Sequence, residues 1–196
     1  MKIKSILVLS ALMMYSCDDD TEDPISIDDT AVEFNIEKLD VLSLGDSDQS
    51  QPELVRFVSA TEGVVVNSKQ NSIDFITIDG TNLVLTGDKV QITDDPNAEC
   101  SSIDVNVNET IIAVVATKGA CDRGELYLVD AMTKEKYGPY ELGYNPDAVD
   151  ISVDDKFVVV VNEFDYEDGV VGGCESVAGP GVSIYNIENG LDSAVL

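Results

Sequence analysis

Three stretches of this chain repeat one another, and the length of the repeat restricts the fold more tightly than any local motif. They are PELVRFVSATEGVVVNSKQNSIDFITIDG from Pro52, ECSSIDVNVNETIIAVVATKGACDRGELYLVD from Glu99, and PDAVDISVDDKFVVVVNEFDYEDG, continued by GVSIYNIENG, from Pro146. Val55, Ile103 and Val149 fall in register, as do Asn67, Ala116 and Asn162, which gives a period of about 47 residues. Within each unit β-branched runs of strand length are separated by Gly, Asp and Asn, and no helical period is sustained. The order is strand, tight turn, strand, loop, strand and a further outer strand such as LVLTGDKVQI or KYGPYELG. About three four-stranded antiparallel units of this kind predict an all-β chain of β-propeller blades. Solenoid coils or a sandwich are the alternatives, but the hairpin turns at Asn108-Glu109 and Asp154-Asp155 favour blades over parallel coils.

Three blades do not close a ring, and closure is what removes exposed strand edges. Leu196 falls where the third unit's outer strand would be forming, so the expected domain is a partial propeller over 34–196, the first part of a longer ring.

The connection between second and third strand lengthens from SKQN through TKGACDRGE to EFDYEDGVVGGCESVAGPG. Insertions gathered on one face of a repeat array usually mark its binding face. Glu53, Ser101 and Asp147 stand two residues before the aligned Val or Ile of each first strand, and Asn67, Asn162 and Glu163 end second strands on the same face. Glu53, Asn67, Asp147, Asn162 and Glu163 are therefore the candidate ligand-binding residues. Oxygen ligands converging from several blades would suit Ca²⁺. Asp165, Glu167 and Asp168 in the longest loop form a second candidate cation site, without the full spacing of an EF-hand. Asp and Asn at such positions also cap turns, and a solvated acidic loop is the plainer reading.

Composition excludes several chemistries. The chain has no His, so a Ser/His/Asp triad, a Cys/His dyad or a His-bound zinc cannot form within it. It carries 11 basic against 38 acidic residues, a formal charge of −27. Such a field repels phosphate backbones, so nucleic acid is excluded as a partner, while cations and neutral or basic ligands stay open. A hydrophobic share of 44% is that of a folded protein, so the acids decorate a core.

The first twenty residues, MKIKSILVLSALMMYSCDDD, address the chain to the cell exterior. Lys2 and Lys4 precede an apolar run from Ile6 to Met14 that is short for a membrane span. Met14-Tyr15-Ser16-Cys17 resembles the cleavage box of bacterial lipoprotein signal peptides. That resemblance implies a signal over 1–16, lipidation of Cys17 and a membrane partner through the lipid. Asp18, Asp19 and Asp20 resemble an export tag for the outer face of the outer membrane. Residues 17–33 read as an acidic tether. An ordinary cleaved signal would also place the chain outside the cytoplasm, where Cys100, Cys121 and Cys174 meet oxidising conditions. One disulfide is expected, Cys100–Cys121 first and Cys121–Cys174 second, with acidic neighbours opposing a reactive thiolate.

The segment NPDAVDISVDDKFVVVVNE looks like the blade signature of extracellular lactonase-like propellers. The order IEKLDVLSLG, PELVRFVSATEGVVVNSKQNSIDFITI and NPDAVDISVDDKFVVVVNEFDYEDG resembles the choice-of-anchor I propellers, with Asn162-Glu163 kept and Phe164-Asp165 replacing a Gly-Glu. The resemblance covers residues from about 36 onward and implies a secreted or surface-anchored propeller. Two functions follow as expectations: a surface lipoprotein whose propeller binds an extracellular ligand or protein, or a calcium-dependent lactonase or phosphoesterase.

Overall fold

The computed structural model describes residues 37–46, 48–119, 122–163 and 180–194. Cys17, the signal and the tether lie outside the described residues, as do Cys121, Cys174, Asp165, Glu167 and Asp168.

The described chain is built from three antiparallel sheets whose strands follow one another in sequence order. Blade 1 contains β1 (Pro52–Phe57), β2 (Glu62–Asn67), β3 (Ser72–Asp79) and β4 (Asn82–Gln91). Blade 2 contains β5 (Glu99–Val105), β6 (Ile111–Thr117), β7 (Arg123–Asp130) and β8 (Lys136–Tyr144). Blade 3 contains β9 (Pro146–Ile151), β10 (Phe157–Asn162) and β11 (Gly181–Asn186). These are β-propeller blades in an incomplete ring, and the sequence repeat maps onto them with Val55, Ile103 and Val149 on the first strand of each. The expected fourth strand of blade 3 is absent among the described residues, where a 3-10 turn, Leu191–Ser193, follows β11 instead. Residues 37–46 and 48–51 contain no regular strand.

Why the middle strands read as unbroken apolar runs is clear from their position. β6, IIAVVAT, is buried along nearly its whole length because its alternate side chains face two different neighbours. Ile112, Val114 and Ala116 pack with Val64, Val66, Ile73 and Phe75 of blade 1. Ala113 and Val115 instead join Val149, Ile151, Val158 and Val160 of blade 3. Fully burying a Val or Leu contributes about 1.5–3 kcal/mol, so each blade interface is a core in its own right. β10, FVVVVN, is likewise a mostly apolar run but alternates in burial, since only one of its faces meets a described neighbour.

The turns are held by the polar residues that punctuate the repeat. Asn106 Oδ1 accepts the N–H groups of Thr110 and Ile111, each at 2.8 Å. At the equivalent place in blade 3, Ser152 Oγ accepts from Lys156 (3.2 Å) and Phe157 (2.9 Å). Glu109 and Asp155 occupy matching left-handed positions in these hairpins, with φ of 59° and 57°. The expected turns at Asn108-Glu109 and Asp154-Asp155 are thus formed.

Candidate functional site

Antiparallel pairing brings the start of each first strand to the end of its second, as Pro52 with Asn67, Glu99 with Thr117 and Asn162 with Pro146 show. One end of the arc therefore carries the first-strand starts, the second-strand ends and the third-strand starts. Every first strand has a register irregularity at this end: between Pro52 and Val55, between Cys100 and Ser102, and between Pro146 and Ala148. An extra residue in one strand of a pair bends it and re-aims its side chains. Glu53, Ser101 and Asp147 sit at these three irregularities. Their aligned positions in the sequence are the trace of a repeated backbone feature.

The three side chains do not share one environment. Glu53 is exposed and accepts a hydrogen bond from Gln51 Nε2 at 3.0 Å. Ser101 Oγ donates to the Pro146 carbonyl at 2.9 Å, tying blade 2 to blade 3. Asp147 is exposed. Glu163 is exposed too, and its backbone N–H donates to the Asn145 carbonyl at 2.9 Å.

Asn67 and Asn162 are buried, and protein groups already engage both ends of each amide. Asn67 Oδ1 accepts the Gln51 N–H at 3.0 Å while Nδ2 donates to Ser50 Oγ at 2.8 Å and to Asp74 Oδ2 at 3.4 Å. Asn162 Oδ1 accepts the Gly143 N–H at 3.0 Å while Nδ2 donates to Ser183 Oγ at 3.1 Å and the Gly181 carbonyl at 3.4 Å. The Asn67 amide pins the chain entering blade 1 to the end of β2, and the Asn162 amide ties the end of β10 to β8 of blade 2 and to β11. Calcium needs free oxygens converging from several sides, and these two amide oxygens already accept backbone N–H groups. Among the described residues no three His, Cys, Asp or Glu side chains are grouped closely enough to hold a metal ion. The five candidates therefore do not fit a common calcium centre.

What the repeat alignment did not bring forward is a cleft of about 280 Å³ on the same end of blade 2, lined by Lys118, Arg123, Gly124, Glu125, Pro139 and Glu141. Lys118 Nζ lies 2.6 Å from Glu125 Oε1 and 3.6 Å from Asp95 Oδ2. The Glu125 and Asp95 carboxylates raise the Lys118 pKa, with the Glu125 hydrogen bond the larger cause. The other Glu125 oxygen accepts from Tyr127 Oη at 2.6 Å. Arg123 pairs with Glu141 at 3.1 Å and lies over the Tyr144 ring, 5.4 Å from its centroid. The cleft thus offers alternating charges, suited to a polar ligand held by several hydrogen bonds. A signal for it existed: two of the 11 basic residues flank one short loop, TKGACDR.

Cys100 is a free thiol, fully buried in the core between blades 1 and 2. The expected Cys100–Cys121 disulfide is therefore not shown, and Cys121 itself lies outside the described residues. Desolvation pushes the Cys100 thiol from its ordinary 9.0 up to about 12. The unfolded chain loses this proton near the ordinary value while the folded chain keeps it. The stabilisation is therefore complete below about pH 9 and is lost as pH rises toward 12. In urea titrations across that window, Cys100→Ala is expected to flatten the fall in stability; an unchanged slope would exclude the thiol as its source.

Comparison with known proteins bears on the fold alone. No family model and no curated protein matches the chain. Among solved structures, a functionally unknown protein from Desulfotomaculum acetoxidans DSM 771 superposes with a TM-score of 0.53 at 10% identity, over 80% of this chain and 44% of that one. A protein from Lactobacillus plantarum gives a TM-score of 0.46 at 17% identity, covering 66% of this chain and 41% of that one. The Dos1 propeller gives 0.44 at 11% identity, with 61% and 33% covered. The chain spans less than half the length of each.

Proposed function

We propose that this chain is the propeller portion of a surface lipoprotein, tethered through a lipid on Cys17, that binds an extracellular ligand at the end carrying the second-to-third-strand connections. The observation that carries the reading is the gathering at that end of the three first-strand irregularities and the charged cleft between Lys118, Arg123, Glu125 and Glu141. Rigid strands hold the site while the connections vary in length, which is how repeat scaffolds diversify their ligands. A strongly acidic surface keeps such a domain soluble and steers it away from anionic polymers. Its ligand is a neutral or basic molecule with several hydrogen-bonding groups, a description that includes glycans.

Two measurements test the reading. In the producing cell, a clickable fatty acid is expected to label the protein, and Cys17→Ala to abolish labelling and release the protein in soluble form. An array of extracellular glycans and peptides probed with the mature protein is expected to show binding that Lys118→Ala/Arg123→Ala removes and Val107→Ala/Val153→Ala, at the opposite hairpin end, preserves. Circular dichroism confirms that each variant is folded. Binding that survives the first pair would place the ligand elsewhere, and no binding at all would refute the reading.

A further inference from the structure

In the cleft of blade 2 two cations, Lys118 and Arg123, stand among three carboxylates, Asp95, Glu125 and Glu141. Both oxygens of Glu125 are engaged within the protein. Oε1 lies 2.6 Å from Lys118 Nζ, and Oε2 accepts from Tyr127 Oη at 2.6 Å. Asp95, which comes from the passage between β4 and β5, meets the same ammonium from another side at 3.6 Å. Tyr127 is itself buried in the core between blades 1 and 2. A hydrogen-bonded chain thus runs outward from that core through Glu125 and fixes the place of Lys118.

The groups left for a ligand follow from this order. Lys118 carries three ammonium donors, of which two are directed to carboxylates. Arg123 gives Nη1 to Glu141 Oε1 at 3.1 Å and to the Leu142 carbonyl at 3.4 Å, and its planar fork carries five donors in all. Glu141 is the open acceptor of the group, with its side chain 70% exposed. A hydroxyl accepts from a cation and donates to a carboxylate through one oxygen, whereas a carboxylate only accepts and an ammonium only donates. Donors at Lys118 and Arg123 beside an acceptor at Glu141 therefore match neighbouring hydroxyls.

We propose, building on the binding role given above to this end of the arc, that the cleft selects an uncharged sugar over acidic sugars, amino sugars and peptides. Lys118, Arg123 and Glu141 touch the ligand, while Tyr127, Glu125 and Asp95 are positioning residues for Lys118. An acidic sugar meets one more carboxylate than cation here, on a chain at −27. A ligand ammonium finds Glu125 and Asp95 already holding Lys118, and displacing it breaks both contacts. Gly124 and Pro139 complete the lining without adding charge. At about 280 Å³ the cleft lies near the lower bound of about 300 Å³ for small-molecule sites, which suits a single sugar unit better than a run of peptide side chains.

The test uses the full mature chain and matched oligosaccharides ending in glucose, galactose or mannose, in the corresponding uronic acids or in the corresponding amino sugars, with neutral and basic peptides alongside. By titration calorimetry, at least one neutral series is expected to bind about tenfold or more tightly than its acidic and amino counterparts. Glu141→Gln, at an exposed position, is expected to weaken the neutral sugar about tenfold and to bring the uronic acid to within about threefold of it, because two cations then face two carboxylates. Tyr127→Phe is expected to weaken the neutral sugar about three- to tenfold with the ratio between neutral and acidic sugars unchanged. It is also expected to shift the nitrogen resonance of the Lys118 ammonium in the free protein, which a general loss of packing would not do selectively. Acidic or amino sugars that bind as tightly as neutral ones, or peptides that bind where no sugar does, overturn the proposal. If Lys118→Ala/Arg123→Ala abolishes that binding, the ligand site at this end of the arc still stands. Neutral-sugar binding that survives the double substitution overturns the assignment to this cleft. Absence of binding to every sugar and peptide overturns the ligand-binding role itself, and the sugar preference with it.

Discussion

Asn71→Ala is expected to destabilise the chain by about 2–5 kcal/mol, the sum of a buried amide N–H left without its acceptor and an alanine forced into the left-handed region. Asn71 follows the 3-10 turn Ser68–Gln70 with φ of 51°. Its Nδ2 donates to the Ala98 carbonyl at 2.7 Å and the Asp95 carbonyl at 3.3 Å, and its Oδ1 accepts the Cys100 N–H at 3.1 Å. Its own carbonyl accepts the Ile92 N–H at 2.8 Å. One side chain thus fixes the whole passage from the last strand of blade 1 to the first of blade 2. Urea denaturation of Asn71→Gly separates the two contributions, since glycine tolerates the backbone angle but makes none of the bonds. If Asn71→Gly is as stable as the parent, the side-chain bonds carry no weight and the assignment fails.

Gly124→Ala is expected to cost about 3 kcal/mol, at the upper end for one added methyl in a filled site. A Cβ there would lie 2.3 Å from Pro146 Cγ, 2.5 Å from Pro146 Cδ and 2.8 Å from the Ala116 carbonyl oxygen. None of these atoms can rotate aside: two belong to a ring and the third to the backbone. Relief has to come from moving β7 away from β9, which opens the junction of blades 2 and 3. Combining Gly124→Ala with Pro146→Ala removes the two nearest atoms, so the double variant is expected to be more stable than the sum of the single effects predicts. Strict additivity would show that the cost arises elsewhere.

The arrangement of strands was legible because burial on two faces demands continuous apolar β-branched runs, which few other environments select. IIAVVAT and EGVVVN announce middle strands in this way, and the repeat spacing then orders them into blades. The roles of individual polar residues were not legible to the same degree. The sequence placed Asn67 and Asn162 correctly at the ends of second strands, but not the groups facing them, the Gln51 N–H from the chain entering blade 1 and the Gly143 N–H from the last strand of blade 2. An asparagine positioned for a ligand and one holding a backbone turn look alike until those groups are placed. Asn71 was hidden for a related reason, since SKQN, of which it is the last residue, reads only as a short polar connection. Glu53, Ser101 and Asp147 were aligned correctly, yet the shared cause, one extra backbone residue in each first strand, is a property of pairing that a single strand does not display.

The blade interfaces have one more consequence, for the order of assembly. Blade 1 meets blade 2 and blade 2 meets blade 3, so these interfaces join neighbours in sequence. Long loop closures are not needed before the first of these cores can form, and elongation from the N-terminus can complete one interface before the next begins. A chain emerging in that direction covers one face of each completed blade with its successor, while the newest blade waits with its forward apolar face uncovered. Aggregation is then governed by how long each new sheet waits for its successor. Pauses in synthesis just after a completed blade are the moments of greatest hazard.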